Sequence, residues 1–231
     1  MKAVIISDIH GNLEAIRSLP ESFDELWVLG DLVNYGPDPA DVVEFVQSKA
    51  TLVVRGNHDH AVGYGEDPRC SAPFREMAEA MMRYTRSVLS GPQRKFLRSL
   101  PMTSGRNADG VRIKLCHATP SDPLFAYCGP DSPQWEREVE LAGADMLLVG
   151  HTHLPFVRRF GKQQVVNPGS LGQPKTGRPA ACYAVWEKGE VELRSFNYAF
   201  EETIRKIHAL PVDQKVRARL ADVLRNGGLP P

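Results

Sequence analysis

The sequence has little that would attract it to a general polyanion or to a membrane. Its 231 residues carry 28 basic and 28 acidic side chains, which leave no net charge, and the pI lies near 7.1. A balanced charge gives no overall attraction to nucleic acid or to acidic lipid surfaces. No apolar run approaches the roughly 20 residues that a membrane-spanning helix requires. We therefore expect neither a membrane protein nor a general nucleic-acid-binding surface.

Cysteine is also scarce, and its positions do not form a metal or redox motif. Cys70, Cys116, Cys128 and Cys182 contain no CxxC pair. The first residues turn polar after a short apolar run, without the segment of about 7–15 apolar residues that a secretory signal contains. A chain of this size without such a signal is typical of a reducing compartment. We expect a cytoplasmic protein with four free thiols.

Aromatic residues make up only 8% of the chain, but 42% of its residues are hydrophobic, which is enough for a sizeable core. In the first half, short β-rich runs alternate with helical spacing. The predicted strands are 4–6, 26–29, 52–54, 111–116 and 146–149, and the predicted helices between the first three are 12–19 and 40–49. This alternation predicts a mainly parallel sheet that is covered by helices on both faces.

Residues 72–99 interrupt this rhythm. Apolar residues from Met77 to Val88 are 4, 3 and 4 positions apart, which is the spacing of an amphipathic helix, and Pro92 favours the start of a second short helix. We predict an inserted helical cap over about residues 64–105. We interpret its methionine-rich face as ordinary packing against the sheet.

The second half changes character after residue 150. Short strands are predicted at 156–160, 163–166, 181–186 and 191–196. The Gly and Pro turns between them favour antiparallel pairing. A helical tail is predicted over about residues 200–226, with Asp213 as an N-cap and with Val216, Leu220 and Leu224 on one face.

Polar side chains with metal-binding chemistry follow five of the predicted strands. In chain order, these groups are Asp8-Ile9-His10, Gly30-Asp31, Gly56-Asn57-His58-Asp59, His117 and Gly150-His151-Thr152-His153. Each group alone is weakly specific, because Gly, Asp and Asn are common in turns. In open α/β sheets, however, ligands bind at the carboxyl ends of the strands. The ordered set therefore predicts a single polar site at that edge.

The residue types in this set favour a metal centre. Mixed Asp, Asn and His ligands suit Mn²⁺, Fe²⁺ or Zn²⁺, and the absence of Cys from the set argues against a structural zinc site. The candidate ligands are too many for one ion and about right for two, and Asp31 could bridge ions roughly 3.5–4 Å apart. We expect two divalent ions, with Mn²⁺ ahead of Fe²⁺ or Zn²⁺, which clamp a phosphoryl oxygen and activate a shared water.

The motifs D-x-H, GD, GNHD, a later His and GHxH, in this order, resemble the signature of the calcineurin-like metallophosphoesterases. The match runs from Asp8 to His153, and the residues around the motifs are most similar to the small bacterial and archaeal phosphodiesterase branch. The resemblance implies an α/β (α+β sandwich) fold, in which a two-sheet β-sandwich is flanked by helices and carries a small helical cap insertion. It also implies a single domain over residues 1–231.

The resemblance implies two groups of metal ligands that share one carboxylate: Asp8, His10, Asp31 and His153 in one group, and Asp31, Asn57, His117 and His151 in the other. His58 would face the leaving oxygen and stabilise or protonate it, with Asp59 holding its imidazole. The alternative is that His58 only packs within its turn. His60 and His208 match no motif position and are interpreted as ordinary histidines.

One departure from the family concerns the substrate. In the protein Ser/Thr phosphatases of this superfamily, the GD segment continues to an arginine that binds the phosphate, whereas here Tyr35 stands at that place. Tyrosine cannot form the charge-assisted fork that arginine offers, and a doubly charged monoester loses more from its absence than a singly charged diester. We therefore predict a phosphodiesterase that acts through a metal-bridging hydroxide.

Two alternatives stay open. One is a phosphomonoesterase, a protein phosphatase or a dinucleoside-polyphosphate hydrolase on the same site. The other is a non-catalytic scaffold, although scaffolds that resemble this family have lost ligands that this chain retains. The expected partner is a phosphoester, either a small molecule or a nucleotide, and a homo-oligomer through the last helix is possible. The cap arginines add local positive charge or form a solvated helix face: Arg69, Arg75, Arg83 and Arg86.

Overall fold

The computed structural model describes residues 1–229, in which ten strands form two five-stranded sheets and eight helices surround them. The strands are β1 (Lys2–Ile6), β2 (Glu25–Val28), β3 (Leu52–Val53), β4 (Thr103–Ala108), β5 (Val111–Cys116), β6 (Met146–Leu148), β7 (Phe156–Phe160), β8 (Gln163–Asn167), β9 (Ala181–Glu187) and β10 (Glu190–Phe196). The helices are α1 (Leu13–Arg17), α2 (Pro39–Lys49), α3 (Asn57–Tyr64), α4 (Ala72–Val88), α5 (Gly91–Ser99), α6 (Trp135–Ala142), α7 (Phe200–His208) and α8 (Gln214–Asn226).

The first sheet has the strand order β10-β9-β1-β2-β3. Strands β1, β2 and β3 run parallel, and β9 pairs antiparallel with both β1 and β10. Side chains of β1 alternate between two cores, with Val4 and Ile6 facing the helices and Ala3 and Ile5 facing the second sheet. Because both faces are covered, the four buried residues of the strand, from Ala3 to Ile6, are all apolar rather than alternating with polar residues.

The second sheet has the order β4-β5-β6-β8-β7, with β5, β6 and β8 parallel and an antiparallel strand at each edge. The two sheets pack face to face around Trp27 and Trp186 from the first sheet and Leu115, Leu148 and Val166 from the second. This arrangement confirms the predicted sandwich. The edge strand β4 was not predicted, because its residues TSGRNA have no apolar alternation and are mostly exposed or half-buried.

Helices cover the outer face of each sheet. Helices α1, α2 and α5 contribute Ile16, Val43 and Leu97 to the apolar cluster on the first sheet. Helix α6 covers the second sheet with Trp135 and Val139. Helix α6, a short helix in the connection between β5 and β6, was not predicted from the sequence.

The insertion between β3 and β4 contains α4 and α5, and its helical part ends at Ser99. Strand β4 begins at Thr103, so the last positions of the predicted insertion belong to the second sheet. Met77 and Met81 lie in a cluster with Leu220 and Leu224 of the C-terminal helices. The expectation that this methionine-rich face packs against the sheet is therefore wrong, because the face packs against α7 and α8.

The predicted helical tail consists of two helices, α7 and α8. The Asp213 side chain caps α8 by accepting a hydrogen bond from the Lys215 amide at 2.7 Å, as predicted. All four cysteines are free, three of them buried and Cys70 half-buried. Among residues 1–229, no helix combines the length and the apolar character needed to cross a membrane.

Candidate active site

The loops after the carboxyl ends of five parallel strands converge at one edge of the sandwich. Strands β1, β2, β3, β5 and β6 are followed, in that order, by Asp8 and His10, by Asp31, by Asn57, His58 and Asp59, by His117, and by His151 and His153. Candidate ligand atoms lie within 4.8 Å of one another in two groups: Asp8, His10 and His153 in the first, and Asp31, His117 and His151 in the second. Each group contains three members of one of the two four-residue sets that the family resemblance implies, without Asp31 in the first and without Asn57 in the second.

In the first group, two imidazoles face each other through unprotonated nitrogens. Nδ1 of His10 donates to the Val33 carbonyl at 3.2 Å, and Nδ1 of His153 donates to the Gln173 carbonyl at 2.6 Å. Burial lowers the pKa of His10 to about 4 and that of His153 well below its ordinary value. Both rings are therefore neutral with a lone pair on Nε2, and the two Nε2 atoms lie only 3.2 Å apart.

A carboxylate completes this first group. Asp8 Oδ1 lies 3.3 Å from His153 Nε2 and, within the described residues, accepts no hydrogen bond although it is fully buried. Burial also raises the pKa of Asp8 to about 6. Three electron-rich atoms that converge without a donor between them are unfavourable unless a cation lies among them. The residues of this group therefore fit a divalent ion.

The second group has a different balance of charge. Nδ1 of His117 donates to the Leu29 carbonyl at 2.7 Å, while its Nε2 lies 3.1 Å from Asn57 Oδ1 and 3.3 Å from Asp31 Oδ2. Burial lowers the pKa of His117, but the Asp31 carboxylate outweighs it, and the pKa is raised to about 9. The His151 ring meets the His117 ring edge-on, with 5.1 Å between centroids. Here a proton can occupy the position that a cation would take.

Asp31 lies between the two groups. Its Oδ2 is 3.3 Å from His117 Nε2 and 3.8 Å from His10 Nε2, while its Oδ1 accepts from the His58 amide at 2.8 Å. Burial raises the pKa of Asp31, but the imidazoles of His117 and His58 outweigh it, so that the pKa lies well below its ordinary value. An ionised carboxylate in this position can serve both groups at once.

The backbone of the site is strained in a way that aims these side chains. Five of the candidate ligands have a positive φ: Asp8 (53°), His10 (49°), Asp31 (54°), His151 (67°) and His153 (64°). Non-glycine residues rarely adopt this conformation, and such strain clusters at functional sites. A Cβ at Gly56 would lie 2.1 Å from Asp31 Oδ1, and one at Gly150 would lie 2.0 Å from Ser7 Oγ. The glycines of the GNHD and GHTH motifs therefore allow the close approach of these loops.

Asp59 does not hold the His58 imidazole, so this expectation is wrong. Its Oδ2 accepts from the amides of Asp31 and Gly56, at 2.8 and 3.0 Å, and its Oδ1 accepts from the Leu32 amide at 2.8 Å. His58 and Asp59 are consecutive residues of α3, and consecutive side chains on a helix do not face each other. Asp59 instead fastens the loop after β2 to the beginning of α3.

His58 is positioned by Asn34, which the sequence analysis missed. The Asn34 side-chain amide donates to His58 Nδ1 at 2.8 Å and to the Ala78 carbonyl of α4 at 3.2 Å. Burial lowers the pKa of His58 to about 3, so the ring is neutral, with its proton on Nε2. The only sequence signal for Asn34 is its tolerance of the left-handed region, in which it has a φ of 75°.

A cleft of about 260 Å³ opens over these residues, and His58, Asp31, His151 and His153 line it. Its outer walls carry side chains that the sequence analysis did not assign to the site: Lys175, Phe74, Phe125 and Tyr127. Burial lowers the pKa of Lys175, and the Asp8 and Asp31 carboxylates oppose this shift. Of the four cap arginines, Arg69 lines the cleft and Arg86 donates to the Val62 carbonyl. His60 pairs with exposed Glu66.

Comparisons with known proteins agree with this geometry. Residues 1–190 match the family model of the calcineurin-like phosphoesterase superfamily domain. The chain is 30% identical to an uncharacterized protein of Methanocaldococcus jannaschii, covering 88% of this chain and 90% of that protein. It is 30% identical to the phosphodiesterase YfcE of Escherichia coli, covering 78% and 85%. The crystal structure of a metallophosphoesterase from Sphaerobacter thermophilus superposes with a TM-score of 0.81 at 28% identity, covering 96% and 98%.

Proposed function

The chain belongs to the calcineurin-like phosphoesterase superfamily, a family of hydrolases, and from this membership we propose that it is a dinuclear metal-dependent phosphodiesterase. The observation that carries the proposal is the pair of ligand groups around Asp31. In the first group, the facing Nε2 atoms of His10 and His153 need a cation between them. Both groups are rich in imidazole, which favours a transition-metal ion over Mg²⁺; the ion we propose is Mn²⁺, with Fe²⁺ or Zn²⁺ as alternatives.

Two bound metal ions would clamp a phosphoryl oxygen and lower the pKa of a bound water molecule. The remaining steps fall to side chains of the chain itself. Asp31 keeps its negative charge because its Oδ1 is held by the His58 amide and its Oδ2 faces the imidazoles. His58 stays neutral, and its Nε2–H is free to donate to the leaving oxygen because Asn34 occupies Nδ1. The donated hydrogen bond stabilises the charge that develops when the P–O bond breaks.

Tyr35 supports a preference for diesters. It is 5% exposed and lines the cleft at the place where the protein phosphatases of the family have arginine. Burial raises its pKa well above the ordinary value, so it stays neutral and offers no charge to a phosphate dianion. The similarity to a relative named as a phosphodiesterase points in the same direction.

The test is a metal-supplemented activity panel. Protein stripped by chelation is reloaded with Mn²⁺, Zn²⁺ or Mg²⁺ and assayed on bis-p-nitrophenyl phosphate, p-nitrophenyl phosphate and a dinucleoside tetraphosphate. We expect two ions per chain, high activity with Mn²⁺ and a higher kcat/KM on the diester. Faster hydrolysis of the monoester or the tetraphosphate would reassign the substrate. A protein that binds no metal and hydrolyses none of the three would instead be a scaffold.

A further inference from the structure

Lys175 is the one lysine that lines the cleft, and the loop that carries it is fixed to the site. The Leu171 amide donates to the Ser7 carbonyl at 2.9 Å, and the Gly172 amide donates to the Asp8 carbonyl at 3.1 Å. This loop follows β8 and therefore lies beside the first ligand group. The position of Lys175 is thus set by the same backbone that positions Asp8.

The ammonium of Lys175 has no fixed anionic partner within the described chain. The carboxylates of Asp8 and Asp31 attract it electrostatically, but within the described residues neither accepts a hydrogen bond from it. Its Nζ lies over the Phe74 ring at 4.7 Å, a contact that does not neutralise the charge. When Asp8 and Asp31 bind metal ions, their negative charges no longer compensate the positive charge of Lys175. An anionic ligand at the mouth of the site would compensate the charge of Lys175. Because Tyr35 is neutral, Lys175 can supply the phosphate-binding cation that Tyr35 does not.

Aromatic side chains, in contrast to the charged Lys175, lie on the loop after β5. Asp122 Oδ1 accepts from the amides of Leu124 and Phe125, at 3.3 and 3.1 Å, and so orders this loop. Arg69 lies over the Phe125 ring at 4.3 Å. Tyr127 is 63% exposed, the most exposed large hydrophobic residue of the described chain, and its ring is 5.7 Å from that of His151. An aromatic surface therefore starts at a candidate metal ligand and faces solvent.

We propose that the cleft is a nucleotide site, in which Lys175 binds the substrate phosphoryl group and the rings of Phe125 and Tyr127 hold the base. The proposal rests on the proposed phosphoesterase function and specifies its substrate class. Exposed aromatic side chains stack on any base, whereas a lysine binds phosphate as a point charge. A phosphoester with an aliphatic ester group would use Lys175 but gain nothing from Tyr127.

Two ligands that differ only in the base test this directly. Adenosine 5′-monophosphate and ribose 5-phosphate are titrated into the Mn²⁺-loaded protein in a calorimeter. We expect the nucleotide to bind roughly tenfold more tightly, because stacking contributes on that order. Tyr127→Ala should remove most of this difference, while Tyr127→Phe, which keeps the ring, should retain it. Equal binding of the two ligands to the wild-type protein would overturn the proposal.

Lys175→Gln should weaken both ligands by the same factor, roughly 10- to 100-fold, and leave the difference between them intact. Lys175→Arg should retain most of the affinity, and Lys162→Gln, in the exposed turn between β7 and β8, serves as the matched control. Melting temperature and metal content verify that each variant is folded and loaded. Unchanged affinity in Lys175→Gln would remove Lys175 from the site. Failure of the proposed function itself would appear separately, as absent metal or absent hydrolysis of bis-p-nitrophenyl phosphate.

Discussion

The two ligand groups respond differently to the absence of a cation. In the first, His10 and His153 are neutral and present lone pairs to each other and to Asp8 Oδ1, and within residues 1–229 no hydrogen-bond donor lies between these atoms. In the second, a proton on His117 links Asp31 and Asn57. The first group therefore depends on an ion, whereas the second can hold either an ion or a proton. Metal binding in the second group has to displace that proton.

The largest effect is expected where the two groups meet. Asp31→Asn removes the one charge that both groups share, so metal affinity should fall by roughly 10²–10⁴ and activity should fall with it. The increase in melting temperature that added Mn²⁺ causes should also disappear. Metal analysis and thermal unfolding measure both, with Asp109→Asn in the exposed β4–β5 turn as the control. Full metal content in Asp31→Asn would show that the groups do not share this carboxylate.

His58 borders both groups but is proposed to hold neither ion. His58→Ala should keep metal content and melting temperature near the wild-type values while kcat drops by about 10²–10⁴. The loss should be larger for esters with poor leaving groups than for p-nitrophenyl esters, whose leaving oxygen needs little help. His60→Ala, one position beyond Asp59 on the same helix, is the control. An empty site in His58→Ala, or a loss independent of the leaving group, would contradict this role.

The metal-free protein should show the contrast between the groups in its pH dependence. The pKa of His117 is about 9 when folded and roughly 6.5 when unfolded, so its contribution is complete below about pH 6.5 and is lost as the pH rises through 9. That contribution is about 3 kcal/mol. The pKa of His10 is about 4, so the folded state loses stability as the pH falls from about 6.5 to 4. The raised pKa of Asp8, about 6, acts in the opposite direction and offsets part of this loss on the acid side.

Denaturant unfolding of chelated protein across pH 4–10 measures this profile. His117→Gln should remove the loss on the alkaline side and leave the acid-side loss in place, because the groups that titrate there are other residues, His10 and His58 among them. Mn²⁺ should flatten the alkaline side in the wild-type protein by taking the place of the proton. An alkaline loss of the same size in His117→Gln would assign it to another residue.

The smallest expected effect concerns a positioning residue. Asn34→Ala removes the donor to His58 Nδ1, which is worth about 1 kcal/mol, so kcat should fall roughly fivefold with unchanged metal content. Without this donor, the Nδ1–H form of His58 also becomes accessible, so the pH profile of kcat should change shape. A lower kcat with an unaltered pH profile of kcat would indicate a purely structural role for Asn34.

The strand ends and their ligand sets could be predicted from the sequence because each motif lies directly after an apolar strand. Lys175 could not be predicted in this way, because it reaches the cleft only through the path of the loop between β8 and β9. This loop connects the second sheet to the first. Asn34 gave only a weak signal, the tolerance of asparagine for a left-handed turn, and its contact with His58 depends on that turn. Adjacency in sequence misled the assignment of Asp59, whose side chain points away from that of its neighbour.

The central claim is that two ions lie in the two ligand groups and share Asp31. Anomalous diffraction from crystals of the Mn²⁺-loaded protein tests it most directly. We expect two anomalous peaks roughly 3.5–4 Å apart, with Asp31 contacting both, His10 and His153 at one, and Asn57 and His117 at the other. A single peak, or two peaks that Asp31 does not join, would contradict it.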